Sequence, residues 1–364
     1  MLRKLKSHNR VSFESLEGRW LMAGDVTATV VDGNLFIVGD DFHNRISITD
    51  GANPGEVTVT GFDDGNGDPT DVEGTPNGAV TRTGVTGNIV VTMKGGHDVV
   101  SVYDLNAARN LTINLADGND GVYLGATGVD GTGTVPAALA TAAASLPTGL
   151  LGSGPVNVGR HLLLNTGPGD DLASLSETTV AEEAAVNTGV GDYQVFAGVA
   201  SVQSAPRALQ VTIVGGTKAK DLAINTGWGA DHVRAYGLDV SRALGVTDLG
   251  GVTEIDLEAI AVNHAIIGTR GDGGDNVAIR DMHALNVAIL TGGDNADTVT
   301  IEDSTFKRLE VLLFGGDDKL SIGNTEITTQ AFFDGGAGDN DTFEKLAPNT
   351  ISNAIRRRFE HLIV

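Results

Sequence analysis

The run 273-GGDNVAIRDMHALNVAILT-291, 292-GGDNADTVTIEDSTFKRLEVLLF-314, 315-GGDDKLSIGNTEITTQAFFD-334, 335-GGAGDNDTF-343 says one thing four times. Each unit opens on a glycine turn, carries an acid a few residues on, and continues in alternating apolar residues. The acids Asp275, Asp297, Asp318 and Asp341 lie 22, 21 and 23 residues apart. A turn and short strands recurring at this period predict a solenoid whose rungs stack on one another.

Working outward, the same unit is legible earlier in the chain. Ile89, Val91 and Met93 alternate before Gly95-Gly96-His97-Asp98, and Val100 and Val102 alternate after it. Leu111, Ile113, Leu115, Asp120, Val122 and Leu124 repeat the pattern, with Asp120 placed 22 residues after Asp98. Alternation puts these apolar side chains inward and points Ser101, Thr112 and Asn114 to water. LLLNTGPGDDLASL and AVNTGVGDYQVF bring Asp171 and Asp192, LAINTGWGADHVRAY brings Asp231, and Glu254 marks a weaker corner. The expected fold is all-β, a right-handed parallel β-helix of about 22 residues per rung. Eleven or twelve rungs would make a rod roughly 55 Å long at ~4.8 Å per strand.

Composition agrees. Fifty glycines and 5% aromatic residues suit a narrow aliphatic core with a turn at every corner. A formal net charge of -23 argues against nucleic acid or an anionic membrane as partner. The chain has no cysteine, which excludes disulfides and cysteine metal sites, and no apolar run long enough for a transmembrane helix.

Residues 25–348 are read as the solenoid, with insertions near 61–88, 125–158 and 198–218. The Ala-rich centre of the second, Pro136 to Ser145, is read as a short helix. Residues 349–364, where Ile351, Ile355, Phe359 and Leu362 accompany Arg356, Arg357 and Arg358, are read as a capping helix or strand.

Residues 1–24 are basic in an otherwise acidic chain and read as a targeting segment. Phe13-Glu14-Ser15-Leu16-Glu17-Gly18-Arg19-Trp20-Leu21-Met22 is similar to the LEPR-XLL motif of planctomycete exported proteins, with Gly18 in place of the proline and Met22 in place of the last leucine. The resemblance implies an extracellular or cell-surface location. Over residues 30–345 the chain also resembles planctomycete β-solenoid repeat proteins, which implies architecture rather than activity.

Two readings of the repeated acids stand side by side. In a column ~4.8 Å apart, ionised carboxylates repel by about 3–4 kcal/mol at an effective dielectric of 20, so something must compensate. One answer is calcium held by Asp98, Asp120, Asp171, Asp192, Asp231, Asp275, Asp297, Asp318 and Asp341. GGAGDNDTF resembles the RTX nonapeptide GGxGxDxUx with one residue inserted, and that resemblance implies calcium. The other answer is that each Asp accepts hydrogen bonds from amides of its own turn and only shapes the corner. A further calcium candidate, Asp64, Asn66 and Asp68, has the alternation of a calcium loop, but Pro69 and Thr75 stand where that loop needs Gly and Glu.

For function, His97, His232, His283, Arg234 and Arg280 sit near corners without the recurring spacing of a catalytic set. A polysaccharide lyase or hydrolase is therefore the alternative to a non-enzymatic structural or adhesive role. By the alternation that places Leu285, Val287 and Ile289 inside, Leu290, Leu312, Phe314 and Phe332 point outward. They offer a strip for self-association or for a protein or polysaccharide surface.

Overall fold

The alternation does become strands. The computed structural model describes residues 23–63, 68–125, 146, 149–189, 211–213, 217–271, 273–346 and 348–363. It is 61% strand with no helix among them, and forms a parallel β-solenoid of about ten turns with bridges ~22 residues apart, slightly fewer turns than the spacing of acids suggested. Leu111–Asn114 pairs in parallel with Ile89–Thr92 on one side and with Leu162–Asn165 on the other, residue for residue. Leu111 and Ile113 therefore stack on Ile89 and Val91 below and on Leu162 and Leu164 above, all buried. Each such side chain contributes roughly 1.5–3 kcal/mol through burial.

A turn has three sides. Ile89–Thr92, Val99–Val102 and Leu105–Ala107 form one turn, and Leu111–Asn114, Gly121–Leu124 and Val156–Val158 the next. The first corner is the Gly-Asp segment. The second is a single residue of positive φ, taken by Asp104, Glu177, Ala259, Asp281, Asp303 and Asn324 at φ between 43° and 54°. Asp and Asn tolerate that left-handed conformation better than most residues, because their short polar side chains bond locally. Toward the C-terminal end, the chain rounds its corners without losing strand pairing, as in Thr253–Gly268 and Asn276–Thr291.

Several expectations change. Leu285 is exposed, not inward, because the inward set shifts phase at a bend: Met282 and Ala284 precede it, Val287 and Ile289 follow. Ser101 is buried rather than wet, since its cross-strand neighbour Tyr123 belongs to a small outer apolar cluster with Val99 and Leu150. The stretch 61–88 contains short strands, Thr70–Val72, Thr75–Pro76 and Ala79–Arg82. Ala23–Val31 and Val57–Gly61 run antiparallel to the first-turn strands Asn34–Val38 and Arg45–Asp50, Ala79–Arg82 runs antiparallel to Val57–Gly61, and Thr70–Val72 runs parallel to Ala23–Val31; together they bury Val26, Ala28, Val57, Val59 and Val72. Rungs also resume inside the two later insertions, at Val156–Val158 and Val211–Ile213. Pro136 to Ser145 and the LEPR-XLL-like segment lie outside the described residues. The tail is strand, with Thr350–Ile351, Ala354–Arg357 and His361–Ile363 adding a last turn in parallel register.

Candidate functional site

Three features of the surface and corners carry chemistry. The first is the corner column. Asp98 accepts a hydrogen bond on Oδ1 from the Asn44 amide at 2.7 Å, and its own amide donates to Asp120 Oδ1 at 2.7 Å. The Asp120 amide donates to Asp171 Oδ1 at 2.9 Å. A second run begins at Thr253, whose amide donates to Asp275. It continues through Asp297, Asp318 and Asp341 at 2.8 Å per step and ends where the Asp341 amide donates to Glu360 Oε2. Each carboxylate thus binds the amide of the preceding rung, and Asp341 also accepts the Gly338 amide of its own turn. This satisfies an N–H that the corner takes out of the sheet ladder.

These seven aspartates are at most 3% exposed. The Oδ2 atom of each of the seven is buried without a hydrogen-bond partner. The hydroxyls of Thr166, Thr269 and Thr291 lie near Asp171, Asp275 and Asp297 and moderate the effect of burial on them, but they do not complete a hydrogen bond. Burial pushes Asp98, Asp171 and Asp318 up to about 7, Asp120 to about 8 and Asp275 to about 6, against the opposing pull of the amide bonds. Asp297 and Asp341 are raised for the same reason. Asp231 is buried one strand position opposite Thr253, so Thr253 takes the corner place expected for Glu254, which faces outward. Asp64, Asn66 and Asp192 lie outside the described residues, and Asp68 is exposed in the N-terminal cap, away from the column.

The second feature is on an outer face. His232, Glu254 and Asp256 present ligand atoms within 4.8 Å of one another, a set that could hold a metal ion. Parallel pairing places His232 directly opposite Glu254, and Arg234 opposite Asp256. Arg234 Nε lies 3.1 Å from Asp256 Oδ2, and Arg280 adds a further positive field. Asp256 is consequently held below the usual carboxylate range, despite burial, by His232 and Arg234. With a guanidinium already on its carboxylate, the cluster is an ion-pair network first. His97 stacks on His43 at 4.9 Å and accepts the Asn119 amide on Nδ1, while His283 lies 3.4 Å from Asp281. Of the five candidates, His232, Arg234 and Arg280 converge on Asp256, whereas His97 and His283 lie apart from them.

The third feature is the apolar strip. Parallel register aligns Ile266, Ala288, Glu310 and Phe332 in one outward column, and Gly268, Leu290 and Leu312 in the next. Phe314 is 53% and Ile266 59% exposed, while Leu290, Leu312 and Phe332 are half-buried. Two adjoining hollows of about 650 and 670 Å³ lie along this strip and share Ile266 and Ala288 in their walls. Sequence alternation found four of these residues. It missed Ile266, which becomes part of the strip only through the rung register.

A ladder of amides on the first side was also missed. Asn165 Nδ2 donates to Asn114 Oδ1 at 2.6 Å, Asn187 to Asn165 at 2.8 Å and Asn225 to Asn187 at 2.7 Å. The recurrent Asn that closes LTIN, LLLN, AAVN and LAIN was its signal. The sequence matches no family model and no curated protein, and the fold matches no solved structure.

Proposed function

We propose that the chain is a structural or adhesive rod of the cell surface or extracellular space, which acts by lateral docking and not by catalysis. The observation that carries this reading is the strip of exposed and half-buried apolar residues, Ile266, Leu290, Leu312, Phe314 and Phe332, on an otherwise acidic rod. An exposed apolar patch with adjoining hollows is the surface a rigid scaffold offers to a partner. The basic, LEPR-XLL-like N-terminus supports export. Calcium is a second proposed means of neutralising the corner column. The partnerless Oδ2 atoms of Asp98, Asp120 and Asp318 would hold it, and it would supply positive charge between stacked carboxylates.

The test uses the tagged full-length chain in its source cells. The wild-type protein is expected in the surface or extracellular fraction, and the variant lacking residues 2–22 inside the cell. Phe314→Asp, which leaves the core untouched, is expected to be exported but to leave the surface fraction for the medium. Wild-type protein found only in the cytosolic fraction would remove the export reading. Equal surface retention of Phe314→Asp would remove docking through the strip.

A further inference from the structure

Which partner does the strip accept? Four observations bear on it, and all concern this chain's own surface. The strip has both relief and recess: Ile266 and Phe314 project beside the two adjoining hollows. A surface carrying its own knobs next to its own holes is suited to a second copy of itself, since each copy can seat its projections in the other's recesses.

The charges have the same property. Arg308 and Glu310 stand two residues apart in the strand Thr305–Leu313, so both project from one face. Both are exposed, and neither takes part in an ion pair among the described residues. A copy laid on the strip can bring its Glu310 to Arg308 and its Arg308 to Glu310, which gives two pairs from one arrangement.

Long-range electrostatics point the same way. A chain of net charge -23 repels its copies over most of its surface. In the strip, exposed Arg270 and Arg308 lie among apolar residues and lower that repulsion locally.

Finally, both ends of the rod are closed to stacking. Antiparallel hairpins cover the first turn. At the other end, Arg356 of the last described turn aligns with buried Phe333, and Lys345 of the turn before it aligns with buried Ile322, so cations stand where earlier turns carry core residues. Inward charge on an edge strand blocks addition of another strand, which leaves the side of the rod for association.

We infer that the strip is the interface between two copies of this chain lying side by side. The inference rests on the docking reading above and names its partner. The test is sedimentation equilibrium of the full chain over a concentration series at about 0.15 M salt, where the general repulsion is screened beyond roughly 8 Å, with circular dichroism to verify folding. Wild-type protein is expected to dimerise and Phe314→Asp to remain monomeric. Arg308→Glu and Glu310→Arg are each expected to weaken dimerisation by about tenfold, corresponding to roughly 1.4 kcal/mol, and the double exchange to restore it to within about threefold. A wild-type chain that stays monomeric up to about 100 μM, a Kd corresponding to roughly 5.5 kcal/mol, would overturn the inference. So would a double exchange no better than the single ones, a result that does not depend on Phe314→Asp folding. If the wild type is monomeric while Phe314→Asp still leaves the surface fraction, the second copy is excluded and docking stands.

Discussion

The carboxyl of Asp297 has one oxygen committed to the Asp275 amide and almost no access to water. Ionising it leaves a charge that burial disfavours, and the same holds along the column. Folded-state values raised to about 6 for Asp275, about 7 for Asp98, Asp171 and Asp318, and about 8 for Asp120 lie above the ordinary carboxyl value. The neutral forms therefore stabilise the fold fully below about pH 4, and that contribution is lost as pH rises through about 6 to 8. Asp334 and Glu344 act in the opposite sense: Arg358 and Lys319 lower them, so their contribution disappears on acidification below about pH 4. In EDTA, the thermal midpoint is expected to peak near pH 5 and fall toward pH 8.5. A flat or rising midpoint over that interval would show that the column is not neutral in the folded state. Asp297→Ala removes the acceptor of a buried amide and should cost about 1–3 kcal/mol. Asp297→Asn keeps an oxygen and loses the titration. It should cost less and make the decline with pH shallower, and equal losses for the two would exclude the amide bond as the reason for Asp at this corner.

At the scale of the corner and strand, stacking leaves no room for a side chain where backbones nearly touch. Gly251 has φ +116°, and a Cβ there would lie 1.6 Å from the Gly229 carbonyl oxygen one rung away, whereas a Cβ on Gly245 meets nothing within 4 Å. Gly251→Ala should destabilise by about 2–4 kcal/mol and Gly245→Ala by no more than about 0.5 kcal/mol, measured by urea unfolding. Similar losses would mean that corner spacing adjusts. This distinction is also why the period was legible in the sequence: glycine at the first corner is sterically required, and Asp follows at a nearly fixed offset. The second corner was not legible, because one residue of positive φ can be Asp104, Glu177, Ala259 or Asn324 and leaves no consensus. Thr253 escaped notice in the column because it contributes only a backbone amide, which any residue can supply, and Asn44, which adds its side-chain Nδ2 to Asp98, because it lies 54 residues from its partner and outside the period. The cap strands in 61–88 were hidden by turn residues, since a three-residue strand such as Thr70–Val72 gives too few positions for alternation to show. Calcium bound at the corners would act at this scale too. If the ion occupies the buried Oδ2 atoms it competes with the proton, so millimolar calcium should raise the midpoint at pH 8 and much less at pH 5. Equal midpoints in calcium and EDTA at pH 8 would remove calcium from the column.

The whole molecule is a rod whose sides and ends have different fates. A parallel solenoid is a stack of strands, and every exposed terminal rung is a template for another chain. Here Arg356 of the last described turn stands opposite Phe333, Lys345 of the turn before it stands opposite Ile322, and the Arg356 guanidinium sits 5.1 Å above the Phe343 ring. Phe343 packs edge-on against Phe359, closing the core beneath those charges. The apolar pattern alone would have let the stack continue; two cations on inward positions end it. Replacing both, Lys345→Ile with Arg356→Leu, should restore a core-like edge and produce end-to-end oligomers, visible as lengthened rods by electron microscopy. Built on a Phe314→Asp background, the experiment separates axial growth from side-by-side pairing. Rods of unchanged length would show that removing the two cations does not open the edge, and that the closure lies in the chain path through Phe359 and Glu360, which carries the backbone across the end of the core.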